Sequence, residues 1–206
     1  MRSLLICLAA LAFGPAAPAA DLPPLAQLCA ACHGEQGSNP WPDVPNIGGL
    51  SDVLVYNALW DYRAGDRPCR EPACTDAGKC PDLDMCQVTK GLTDDQIDLL
   101  AATFSAFPFE AVQAGFDPDL AAEGRKIHYR ECNMCHADGG TTSREGAAIL
   151  RGQKREYLRQ SLEDFQHGRR PVLDTMLERV RKLGHDELQA LVEFYASPVE
   201  GLRRGQ

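Results

Sequence analysis

Cys29-Ala30-Ala31-Cys32-His33 and Cys132-Asn133-Met134-Cys135-His136 are the stretches on which the reading of this chain turns. In each, two thiols are separated by two residues and followed at once by an imidazole, which is the spacing of c-type heme attachment. Thiols at this spacing reach the two vinyl groups of one porphyrin, and the next residue is then placed under the iron. The reading makes Cys29, Cys32, Cys132 and Cys135 covalent heme cysteines and His33 and His136 proximal iron ligands. Redox dithiols and zinc sites also use Cys-x-x-Cys. A redox pair has no need of an adjacent histidine, and a zinc site built from both frames leaves the surrounding pattern unexplained.

That pattern is an internal repeat. A shift of 103 takes Cys29 to Cys132, His33 to His136, Gly65 to Gly168, Arg67 to Arg170 and Pro68 to Pro171. Further along the shift becomes 91, and Met85 falls on Met176, Leu92 on Leu183 and Phe104 on Tyr195. The difference of 12 marks an insertion between Pro68 and Met85, and it carries Cys69, Cys74 and Cys80, with Cys86 just beyond. The chain is therefore two copies of one module, divided as 21–115 and 116–206.

Both copies read as all-α. Leu54, Val55, Ala58, Leu59 and Tyr62 recur at helical spacing after Ser51, and Gly65 ends the run. Tyr157, Leu158, Ser161, Leu162 and Phe165 repeat that face. Thr93 with Gln96 forms a capping box before the stripe Ile97, Leu100, Ala101, Phe104, whose twin is Leu188, Leu191, Val192, Tyr195. Asp117-Pro118 starts the helix that delivers Cys132. Such stripes are ordinarily plain core. In a module of this size, core and cofactor pocket can be the same surface.

Residues 1–20 read as an export leader: Arg2, the apolar run Ser3–Phe13 with Cys7 inside it, and the small-x-small site Ala17-Pro18-Ala19. The expected destination is the periplasm, where disulfides persist. No apolar run is long enough to span a membrane after that leader. The copies differ in charge. From Asp21 to Gly115 there are 14 acidic and 5 basic residues, whereas from Phe116 to Gln206 there are 15 of each. The acidic first copy suits a basic protein partner and argues against nucleic acid.

An electron-transfer heme takes a second axial donor, usually Met or His. Met134 lies inside an attachment frame, too close to the covalent bonds to cross the ring. That leaves Met85 and Met176, one per copy at matching positions, as distal ligands. A methionine is otherwise flexible core filler. His167 and His185 have no histidine counterparts in the first copy, and His128 precedes its own frame by four residues; all three read as surface or ligand-supporting residues. For Cys69, Cys74, Cys80 and Cys86, two disulfides are the simplest account in an oxidising compartment. A four-thiolate zinc site and a free Cys86 replacing Met85 on iron remain open alternatives.

The two frames, Pro45-Asn46-Ile47-Gly48-Gly49, the helices ending in Gly65-Asp66-Arg67-Pro68 and Gly168-Arg169-Arg170-Pro171, and the methionine-to-final-helix segments resemble the diheme class I cytochromes c of the c-four type, and the related diheme subunit of flavocytochrome c sulfide dehydrogenases. The resemblance covers nearly all of the chain after the leader. It implies two tandem class I cytochrome c domains, two covalently bound heme c groups ligated by His and Met, and electron shuttling to an oxidase, a membrane complex or a dehydrogenase. The cysteine-bearing insertion beside Met85 departs from that pattern. Two further classes stay in view: a fixed electron-accepting subunit of a dehydrogenase, and a catalytic diheme enzyme. Filled sixth positions at Met85 and Met176 argue against the last.

Overall fold

The computed structural model describes residues 22–142 and 146–199; the expected leader, with Cys7, lies outside the described residues. Helix α1 (Pro24–His33) carries the first frame. After an irregular loop come α2 (Asp52–Ala64), α3 (Ala73–Asp76), α4 (Met85–Thr89) and α5 (Asp94–Ser105). The second copy holds α6 (Pro118–Ile127), a π-helical turn (His128–Cys132), the short turn α7 (Ala137–Gly140), α8 (Arg155–Gln166), α9 (Asp174–Val180) and α10 (His185–Ala196). Among the described residues there is no strand. No described helix is long and apolar enough to cross a membrane.

The helix boundaries follow local chemistry. Ser51 caps α2 through its hydroxyl, which accepts from the Leu54 amide at 3.2 Å. Gly65, at φ 79°, ends the helix in the left-handed region that only glycine enters without strain. Thr93 and Gln96 form the expected reciprocal box at the start of α5. Asp84 and Gln87 form another at the start of α4, which fixes the residue that follows the cap, Met85. Asp117 accepts from two amides at the start of α6.

Each copy folds into its own lobe. In the first, Ala26, Leu59, Ile97, Leu100, Ala101 and Phe104 form a buried cluster, with Met85 packed against it. In the second, Ile127, Leu158, Val180, Leu188, Leu191, Phe194 and Tyr195 do the same, with Met176 packed against it. The stripes predicted from periodicity are the cores of the two lobes.

Two findings go beyond the sequence. The helix expected to deliver Cys132 widens at its end, where the Asn133 amide donates to the His128 carbonyl five residues back, at 2.9 Å. His128 is not a surface residue: it is fully buried, with Nδ1 2.9 Å from the Tyr195 hydroxyl and Nε2 3.3 Å from Asn133 Oδ1. His167 and His185 are exposed, as expected.

The insertion closes on itself through Cys69–Cys86 and Cys74–Cys80. This answers the question left by four unassigned thiols. With Cys86 bonded to Cys69, the insertion offers neither a four-thiolate zinc site nor a thiolate for iron.

Helices α6 and α10 cross at Gly124, where a Cβ would sit 1.9 Å from the Ala190 carbonyl oxygen and 2.8 Å from Phe194 Cβ. Backbone cannot yield as a side-chain tip can. Gly124→Ala is therefore expected to destabilise the second lobe by about 1–3 kcal/mol, as overpacked cores do. Thermal unfolding followed by circular dichroism should show an earlier transition, while the control Gly115→Ala, which meets no atom within 4 Å, should not.

Candidate heme sites

The two attachment frames are built alike. His33 is buried, and its Nδ1 lies 3.0 Å from the Pro45 carbonyl; His136 is buried, with Nδ1 2.8 Å from the Ala148 carbonyl. A carbonyl can only accept, so each Nδ1 carries the proton and each Nε2 keeps its lone pair free. Burial lowers the pKa of both rings and favours this neutral form. The loop that supplies the carbonyl is pinned in the same way in each lobe. Ile47 N donates to Gly37 O and Leu150 N to Gly140 O, both at 2.8 Å. None of the four frame cysteines, Cys29, Cys32, Cys132 and Cys135, is tied up in a disulfide. Burial pushes Cys29 up to about 11 and raises Cys32 and Cys132.

One continuous cavity of about 1010 Å³ joins the lobes. Cys29, Cys32, His33 and Met85 line it from one side, and Cys132, Cys135, His136 and Met176 from the other. Every site residue expected from the sequence thus faces the same space. Its lining is mostly apolar, which suits a large apolar occupant held at its edges by the thiols and imidazoles.

The cavity also presents polar groups that the sequence reading did not assign. Arg67 and Arg170, related by the repeat, both line it. Arg67 is 7% exposed; it stacks 4.3 Å from the Tyr62 ring centroid and donates to the Tyr157 hydroxyl at 3.1 Å. Arg170 stacks 4.5 Å from the Phe165 centroid and donates to Ser161 Oγ at 3.1 Å. Neither makes an ion pair with a carboxylate among the described residues. Burial would raise the Tyr157 phenol, but the charges of Arg170 and Arg67 overcome it and bring the group down to about 7. One buried and one half-buried guanidinium facing a cavity fit an occupant that carries carboxylates. Thiols, imidazoles, apolar walls and cations together match the vinyl groups, iron, ring and propionates of heme. The Gly-x-Arg-Pro repeat was the sequence signal for these arginines.

The lobes are joined beside this cluster. Arg70 of the insertion donates both terminal nitrogens to Asp164 at 2.7 Å, and Arg169 adds a third bond at 2.9 Å. Burial would raise the Asp164 pKa; these arginines outweigh it and hold the carboxyl below its usual range. On the other side Asn46 N donates to Gln153 Oε1 at 2.9 Å and Gln153 Nε2 to the Asn46 carbonyl at 2.8 Å.

Comparison with known proteins bears on what fills the cavity. The chain is 31% identical over 180 residues to cytochrome c4 of Stutzerimonas stutzeri, covering 81% of this chain and 82% of that one. The chain belongs to the cytochrome c4 family. It is also 28% identical over 188 residues to the thiosulfate dehydrogenase electron acceptor of Stutzerimonas stutzeri strain A1501, covering 84% of this chain and 80% of that one. The crystal structure of reduced recombinant cytochrome c4 from Pseudomonas stutzeri superimposes with a TM-score of 0.67 at 26% identity, over 83% of this chain and 93% of that chain. No protein-family model matches. As a cytochrome c4 homologue the chain is a diheme class I cytochrome c with two covalently bound heme c groups, and it transfers electrons.

His128 gives the second lobe a pH dependence. Burial lowers its pKa to about 4. An unfolded histidine binds a proton below about pH 6.5. The stabilising effect of neutral His128 is thus complete above that pH and is lost as pH falls toward 4. The expected loss across that window is on the order of 3 kcal/mol. Urea unfolding of wild type should show this slope, and His128→Gln should flatten it even if it lowers stability throughout.

Proposed function

We propose that the chain is a periplasmic electron carrier in which Cys29 and Cys32 attach one heme, Cys132 and Cys135 attach the other, and His33 with Met85 and His136 with Met176 ligate the two irons. The observation that carries this is the shared cavity, lined by both cysteine pairs, both histidines and both matched methionines. Each bound heme supplies a one-electron couple. The chain's residues do the rest. The Pro45 and Ala148 carbonyls fix ring orientation and tautomer of His33 and His136. Capping at Asp84 fixes Met85 at the start of α4. With the cofactors bound, Arg67 and Arg170 would neutralise their carboxylates, and the Arg70–Asp164 pair ties the two lobes together beside them.

The similarity to proteins named thiosulfate dehydrogenase electron acceptor supports a dehydrogenase of small sulfur compounds as donor. The acidic first lobe supports a basic docking surface on one partner. Methionine at both sixth positions leaves no open iron for substrate, which favours a carrier over an enzyme.

Two measurements test this reading. Intact mass should exceed that of the polypeptide by two hemes, both surviving denaturation. Met176→Ala should remove about half of the near-infrared sulfur-to-iron band of the ferric protein, as expected for one of two Met-ligated hemes; an unchanged band would reject Met176 as a ligand.

Electron transfer with a basic partner should slow steeply as salt rises, because exposed charges are screened within roughly 10 Å at 0.1 M ionic strength. Asp82→Asn with Asp84→Asn should reduce that dependence in stopped-flow measurements, and neutralising an equal number of acidic residues in the second lobe should change it less.

A further inference from the structure

The repeat places Met85 and Met176 alike but does not hold them alike. Cys86, the residue after Met85, is bonded to Cys69, with the two Cα atoms 5.8 Å apart. The repeat counterparts of this pair are Val172 and Leu177, so the second lobe has no such bond. Asp84, the residue before Met85, caps α4. Its carboxylate accepts from the Gln87 amide at 2.8 Å, and Gln87 Oε1 accepts from the Asp84 amide at 2.8 Å. Helix α9 carries Met176 in its first turn and starts after Leu173 with no side-chain cap. Thr89, fully buried, donates its hydroxyl to the Met85 carbonyl at 2.8 Å; its counterpart, Val180, has no hydroxyl. Among the described residues, side-chain bonds reach α9 at its far end, from Arg179 to Glu131 and from Gln166 to the Val180 carbonyl, both at 3.3 Å.

We propose that the Cys69–Cys86 bond and the Asp84 cap lock Met85 in place, so that Met176 is the methionine that yields and a small nitrogen-donor ligand enters the second lobe first. The proposal rests on the reading of Met85 and Met176 as distal ligands. An incoming ligand replaces a methionine only while the segment carrying that methionine is open. Its apparent affinity therefore falls with the population of the open state. A cross-link on the adjacent residue removes most open arrangements, because Cys86 cannot move away from Cys69. The cap acts in the same direction, because opening at Met85 breaks both bonds of the Asp84–Gln87 box. A segment tied only beyond its methionine keeps its freedom at the methionine itself. Cys69, Cys86 and Asp84 are thus positioning residues that act through Met85. The other disulfide, Cys74–Cys80, closes a separate turn of the insertion and has no part in the lock.

The test is an imidazole titration of the diheme ferric protein, read in the near-infrared sulfur-to-iron band. Wild type should lose the band in two equal steps whose midpoints differ by about tenfold or more in imidazole. Met176→Ala should lack the step at lower concentration, and Met85→Ala the step at higher concentration. Cys69→Ser with Cys86→Ser should bring the upper midpoint to within about threefold of the lower one. Cys74→Ser with Cys80→Ser, which opens the other bond of the same loop, should leave both midpoints in place. A merely structural role for the cross-links predicts that the two double variants shift alike, and that result overturns the lock. A single step in wild type, or release of Met85 before Met176, overturns it as well. Asp84→Ala keeps both disulfides and should lower the upper midpoint by about fivefold, the effect of one lost cap. An unmoved midpoint there overturns the lock even if the cysteine variant fails to load heme. A wild-type ferric protein without the band overturns the ligand assignment itself, and the lock with it.

Discussion

The hydrogen bond from each histidine Nδ1 to a carbonyl twelve residues later, Pro45 for His33 and Ala148 for His136, is the contact around which both lobes are organised. It leaves Nε2 unprotonated on a ring that lines the cavity, and it anchors the loop that closes the site. The loop is in turn held by a short backbone bond to a glycine after each frame. Because the bond is local and recurs at the same spacing, it forms independently in the two copies. The pseudo-symmetry of the molecule follows from it.

The lobes also depend on each other. Their apolar clusters are small and separate, and the space between them is lined by residues of both. Arg67 is buried and Arg170 half-buried there, at a desolvation cost that their stacking on Tyr62 and Phe165 offsets only in part. Carboxylates on the occupant would complete the balance. Cofactor, interface and core are thus one structure, so a change at the lobe junction acts on the redox sites and on stability at once.

The insertion is where the two copies cease to be equivalent. It places a disulfide against the first frame, supplies Arg70 to the clamp on Asp164, and leads directly into Met85. Three tasks converge on one loop without apolar periodicity, which two cross-links make rigid where a core cannot. The second lobe reaches Met176 with no such bracing and exposes Met134 and Leu173 instead.

The repeat, the helices, the two frames and the paired methionines were legible in the sequence, because each is encoded in spacing along the chain: helical periodicity, capping boxes, and a motif of five residues. The sequence even marked Arg67 and Arg170 as repeated, though not as lining the cavity. Relations between segments distant in sequence emerged only from the folded chain. These are the pairing of Cys69 with Cys86 and of Cys74 with Cys80, the approach of Cys32 to the second pair, the clamp of Arg70 on Asp164, and the burial of His128 under Tyr195. Four cysteines admit three pairings, and nothing in their spacing prefers one. The choice is made when α4 and the insertion pack against the first lobe, because only then is the distance between each pair of sulfurs fixed.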